Sequence, residues 1–169
     1  MKRAVLFLCV ALSAAGATLG FPADEQIVNF HKVNASLYRG SQPNAAAIEW
    51  LRGEGVKSII NLRMANDVWP GEAEVATARG ILYTNIPLNS LSAPTRDQMK
   101  TVLAAIALLP KPVFIHCQHG RDRTGTAVAC YRIDRDGWSS QKALTEAEGY
   151  GLSPFELEMK QFIRHFKPL

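Results

Sequence analysis

Residues 113–125 read VFIHCQHGRDRTG, from Val113 to Gly125, and this stretch decides how the rest of the chain is read. Val113, Phe114 and Ile115 form a short apolar run bounded by polar residues, the pattern of a buried strand. A polar, glycine-containing loop follows, and a helix is expected from about Arg123. Five residues separate Cys117 from Arg123, so both belong to one tight loop. A loop closing onto a helix N-terminus turns several backbone N–H groups toward its centre, and the helix dipole adds positive potential there. Such a nest suits an oxyanion, and the Arg123 guanidinium is shaped to grip two of its oxygens. A cysteine at the floor of the nest is expected to react as its thiolate.

Outward from this loop, strand and helix signals alternate. Phe30–Val33 and Leu37–Arg39 read as short strands joined by a turn at 34–36. Asn44 reads as the N-cap of a helix running to about Arg52, stopped by Gly53 and Gly55. Val56–Leu62 is the next strand, with Ile59-Ile60 suggesting burial on both faces. Trp69-Pro70-Gly71 breaks the chain before a short helix over Glu72–Arg79, and Ile81–Ile86 is a further strand. Thr95 and Gln98 form a capping box for a helix ended by Pro110, with Met99, Val102, Leu103 and Ile106 on its buried face. After the loop come a helix from about Arg123 to Asp136 and another from Ser139. A last capped start lies at Ser153, Pro154 and Glu156, with Phe155, Met159, Phe162 and Phe166 on one side. The expectation is an α/β fold with a central, largely parallel sheet flanked by helices, and with the loop at the carboxyl end of a strand.

The N-terminus has a separate character. Lys2 and Arg3 precede an apolar run over Ala4–Leu12 and the small residues Ala15-Gly16-Ala17. That order is expected of a secretory signal peptide over residues 1–17, and hence of an exported, periplasmic or secreted protein with no stable membrane insertion after cleavage. Residues 18–28 then form a lead-in, and 29–169 the single catalytic domain. Losing Lys2 and Arg3 leaves seventeen basic against fifteen acidic residues, a net charge of +2. So small an excess argues against nucleic acid as a partner. Of the cysteines remaining, Cys130 would lie about 10 Å along the helix from its start. It is expected to be a buried small residue and not a disulfide partner of Cys117.

His116, Cys117, the five residues Gln118 to Asp122, then Arg123 and Thr124 resemble the signature of the cysteine-dependent protein phosphatases. LYRGSQP (37–43), IINLR (59–63) and GWSSQKALTEA (137–147) resemble segments of the compact dual-specificity branch, in its bacterial and atypical members. The resemblance covers roughly residues 29–151. It implies hydrolysis of phosphate monoesters through a phosphocysteine, with no metal or other cofactor. Cys117 is then the nucleophile. Arg123 and the amides of Gln118, His119, Gly120 and Arg121 stabilise the phosphoryl oxygens. Thr124 donates to the sulfur, and His116 holds the loop. Arg63, ending a strand, is a supporting residue or a structural ion-pair partner. The implied partner is a phosphorylated protein, carrying phosphotyrosine or phosphoserine/threonine, or a small phosphate ester, with phosphoinositides or inositol phosphates as the alternative substrate class. Oligomeric state is left open.

The family commonly supplies a general-acid aspartate from a separate loop. That region here reads IPLNSLSAP, with Asn89 and Ser90 in place of a carboxylate, and Trp69-Pro70-Gly71 carries no acid either. Asp97, in the first turn of the Thr95 helix, suits a helix-dipole role. Asp122, inside the loop, is the better candidate acid than Asp97, because the Asp-Arg-Thr-Gly ending resembles relatives in which an aspartate there has that role. The other reading is a structural carboxylate, since nearby cations oppose its protonation. His119 and Arg121 add positive potential at the rim. Two other classes stay open: a phosphate-binding module without turnover, and rhodanese-like sulfur transfer.

Overall fold

The computed structural model describes residues 27–169. The expected signal peptide and most of the lead-in lie outside the described residues. Ile27 and Val28, the last two residues of that lead-in, already belong to the fold. Ile27 is buried, and the Val28 carbonyl accepts a hydrogen bond from Ser41 N–H at 2.8 Å.

Five short strands form one sheet: β1 (His31–Asn34), β2 (Leu37–Gly40), β3 (Ser58–Asn61), β4 (Leu82–Asn85) and β5 (Val113–His116). Their order across the sheet is β1-β2-β5-β3-β4. β1 runs antiparallel to β2, and every other pairing is parallel. The expected α/β sheet, largely parallel, is thus the one observed. β5 is the middle strand and is buried along its whole length, with β2 and β3 on either side. Cys117 follows directly from its carboxyl end, where open α/β sheets place their ligand sites.

Side chains alternate across β5 as the two-residue period requires. Phe114 points into a core with Tyr38, Ile59, Ile48 and Leu51, under helix α1 (Ala45–Gly53). Val113 and Ile115 point the other way, into the larger core. That core is covered by α3 (Arg96–Leu108), α4 (Asp122–Arg135), α5 (Ser140–Gly149) and α6 (Leu157–His165). Helix α2 (Glu72–Ala78) leads into β4. Cys130 is fully buried on α4, and Cys117 and Cys130 form no disulfide among the described residues. Burial pushes the Cys130 thiol up, as for an inert core residue.

The helix starts follow their local chemistry. Asn44 Oδ1 accepts from Ala47 N–H, Ser139 Oγ accepts from Lys142 N–H, and both bonds of the Thr95–Gln98 capping box form. The last helix differs from expectation. Ser153 Oγ accepts from Phe155 N–H in a local turn, so α6 begins only at Leu157 and has no side-chain cap. Phe155 therefore leaves the apolar side shared by Met159, Phe162 and Phe166, and is 88% exposed.

Candidate active site

The backbone of the loop explains its chemistry. In a trans peptide the carbonyl of one residue and the N–H of the next point in opposite directions. Four successive loop carbonyls are tied to groups outside the nest. The Cys117 oxygen lies 3.2 Å from His116 Nδ1, and the Gln118 oxygen accepts from Gln42 N–H at 3.2 Å. The His119 oxygen accepts from Asn29 Nδ2 at 3.1 Å, and the Gly120 oxygen from Arg39 Nη2 at 2.7 Å. Each anchored carbonyl turns the following N–H inward, and the amides of Gln118, His119, Gly120 and Arg121 donate to no acceptor among the described residues. The Arg121 and Asp122 carbonyls turn instead into α4, taken by Gly125 N–H and Thr126 Oγ1. Four inward amides above a helix N-terminus form an anion nest.

Gly120 permits this path. Its φ is +69°, and a Cβ there would lie 2.5 Å from the Gly40 carbonyl group. At this point the end of β2 and the loop lie backbone against backbone.

The side chains of the signature converge on the same space. Cys117 is almost fully buried at the floor. Arg123 is 6% exposed, and its Nη1 is buried without a partner among the described residues. Thr124 is fully buried one residue further on, and its Oγ1 also lacks a partner among those residues. Unpaired buried donors are rare in a folded interior, and here two lie on adjacent residues.

Beneath the loop, His116 is fixed by a buried carboxylate. Its Nε2 lies 2.8 Å from Glu72 Oε1, with both side chains wholly buried. Glu72 Oε2 in turn accepts from Asn61 Nδ2 at 2.7 Å and from the Tyr83 hydroxyl at 3.3 Å. Burial, and then the Glu72 charge, push the Tyr83 phenol up to about 12.

At the rim, Arg63 makes two hydrogen bonds to Asp67, at 2.6 and 3.2 Å, and a third to Gln42 Oε1 at 3.0 Å. Asp67 Oδ2, the oxygen that accepts from Arg63 Nε, also lies 3.9 Å from Arg123 Nη2. Arg63 thus reaches the site as an ion-pair partner, one carboxylate removed from Arg123. Hydrogen bonding from Arg63 holds the Asp67 carboxyl below its ordinary range. Asp122 directs Oδ1 to Ser153 N–H at 2.8 Å, tying the loop to the α5–α6 connection. Asp97 is exposed in the first turn of α3, and its carboxylate bonds no loop residue. Asn89 accepts from Leu91 N–H and shapes a turn. His119 and Arg121 are exposed, and Arg121 lies along Gly151, within 3.3 Å of where a Cβ would stand.

Sequence reading placed the loop residues together and missed those that support them. Asn29, Arg39, Gln42, Asp67 and Glu72 come from segments far away in the chain. Of these, only Arg39 and Gln42 fall in a stretch, LYRGSQP, that the resemblance had marked.

Comparison with known proteins agrees with this geometry. The dual specificity protein phosphatase TpbA of Pseudomonas aeruginosa is 33% identical over 135 residues, spanning 73% of this chain and 56% of TpbA. The chain thus spans little more than half of that relative. A crystal structure of TpbA superposes with a TM-score of 0.71 at 25% identity, covering 82% of this chain and 85% of that one, and another holds phosphotyrosine. The inositol diphosphatase DSP5 of Arabidopsis thaliana is 30% identical over 128 residues, spanning 70% of this chain and 59% of its own. The catalytic core of the PP-IP phosphatase SIW14 from S. cerevisiae shares the fold, with a TM-score of 0.74 at 22% identity over 84% of this chain and 87% of that one. Residues 21–165 match the model of the family described as DSP-PTPase phosphatase fused to NAD+ kinase, and the chain belongs to that family.

Proposed function

We propose that this chain hydrolyses phosphate monoesters through a phosphocysteine intermediate, with phosphorylated proteins as its first substrate class. The observation that carries the reading is the set of four outward-tied carbonyls, which leaves four inward amides above Cys117. The Cys117 sulfur attacks phosphorus, the ester oxygen departs with a proton, and water then displaces the sulfur. The four amides and Arg123 hold the three equatorial oxygens. Thr124 donates its unpaired hydroxyl to the departing sulfur. Asp122 delivers the proton to the leaving group from Oδ2, since only Oδ1 is engaged by Ser153.

Two exposed apolar residues favour a protein substrate. Leu91 is 85% and Phe155 88% exposed. Their segments join each other through Ala93 N–H to Glu158, and reach the loop through Ser153 N–H to Asp122. The second reading, an inositol phosphate or phosphoinositide, is favoured by His119 and Arg121 at the rim, where a further phosphate would meet positive charge. An exported location belongs to the same proposal and is supported by the order of residues 1–17; N-terminal sequencing of the mature protein tests it.

The deciding experiment is a hydrolysis panel of phosphopeptides, an aryl phosphate and inositol phosphates on wild type, C117S and D122N. Turnover is expected to vanish in C117S. Full turnover there sinks the mechanism, and unchanged turnover of a poor leaving group in D122N removes Asp122 as the acid. Binding without hydrolysis identifies a phosphate-binding module, and thiosulfate turnover identifies sulfur transfer.

A further inference from the structure

Arg39 is the largest fully buried side chain among the described residues, and none of them forms an ion pair with it. It stands on β2 opposite Ile115 of β5, on the sheet face that Cys117 shares by alternation. Its Nη2 donates to the Gly120 carbonyl, while Nε and Nη1 are buried with no partner among the described residues. Among the described residues no carboxylate lies within ion-pair distance of it. The groups facing it are Cys117, Glu146 of α5, Tyr150 at the end of that helix, Arg132 of α4 and His31 of β1. Glu146 is already engaged by Arg132 at 2.8 Å, and Tyr150 offers only its ring face, 4.7 Å from the guanidinium carbon. Burial pulls the guanidinium down to about 10, so it stays charged at neutral pH.

An unpaired buried charge is costly, and a fold keeps one only where something else compensates it. The anion nest lies directly beyond the Gly120 peptide that Arg39 holds. We propose that Arg39 is a positioning residue for the oxyanion: it fixes the Arg121 N–H inward through the Gly120 carbonyl, and its charge is balanced when the nest holds an anion. This rests on reading the loop as an oxyanion site, and its test does not depend on turnover.

The experiment is calorimetric titration of the full chain with inorganic tungstate, for wild type, R39M and R39K. Loss of a charge-assisted bond predicts roughly tenfold to a hundredfold weaker binding in R39M. R39K, which keeps the charge and a donor, is expected to bind between the two. R39M without anion is expected to melt no lower than wild type, because a buried charge has been removed. R39M binding within twofold of wild type overturns the proposal, as does R39K binding no more tightly than R39M. Should R39M fail to fold, hydrogen exchange on wild type decides: tungstate is expected to protect the Arg121 amide, and an unprotected amide overturns the assignment. A wild type that binds tungstate but hydrolyses no ester would sink the catalytic reading and leave this one standing.

Discussion

His116 Nε2 and Glu72 Oε1 stand 2.8 Å apart with both side chains closed off from solvent, and they join the floor of the loop to α2. Removing one member of a buried pair strands the other, at a cost of about 3–5 kcal/mol. E72A is expected to lose that much in urea denaturation. E72Q, which still accepts from Asn61 and Tyr83 through its amide oxygen, is expected to lose less. Equal stability of E72A and wild type would show that the pair carries no weight.

Thr124 separates stability from chemistry. Its hydroxyl is buried and unpaired, so T124V removes a penalty and is expected to leave the fold as stable as before, or more so by about 1 kcal/mol. The second step is expected to slow by about a hundredfold, as on loss of one transition-state donor. Stopped-flow hydrolysis of an aryl phosphate then shows a burst followed by slow turnover; a wild-type steady rate would remove Thr124 from the mechanism.

Asp67 gives the site a pH signature. Its folded-state carboxyl lies below the ordinary value of 3.8, chiefly through the hydrogen bonds from Arg63. A depressed carboxyl contributes stability above its unfolded value, and loses it as pH falls through the folded one. Carboxyl-carbon NMR is expected to place the Asp67 midpoint below 3.8. D67N frees Arg123 from a competing anion and is expected to tighten tungstate binding about two- to fivefold, the range of a partly exposed ion pair. Weaker binding in D67N would contradict this.

G120A combines two faults. A left-handed residue with a Cβ costs about 1–2 kcal/mol in backbone conformation, and the new methyl group meets the Gly40 backbone. The loop is expected to shift before the fold fails, so tungstate affinity falls further than stability. Crystals or amide shifts showing an unmoved loop would argue otherwise.

The loop, the sheet and most helix starts were legible because their signals are local. Capping at Asn44, Thr95 and Ser139 needs only neighbours three residues on. Glu72 was hidden, since it reads as an ordinary acidic residue in the first turn of an amphipathic helix. Its role exists only once β3 and β5 lie side by side. Arg39 was hidden for the same reason, because strand alternation does not say that a charged residue will be buried without a partner. The last helix was misplaced where tertiary contact overrode local preference: Asp122 takes Ser153 N–H, and Ser153 spends its hydroxyl on Phe155.

Three of the carbonyl anchors, Asn29, Arg39 and Gln42, fall within one short run of chain, residues 29–42. A peptide bearing the whole signature from Val113 to Gly125 would therefore hold the reactive side chains without the nest. The first segment of the fold acts as a template, and the signature loop takes its cast. Occupancy of the nest and docking of residues 29–42 become two faces of one equilibrium: whatever loosens that template empties the site, and an oxyanion held there ties the N-terminal strand pair down.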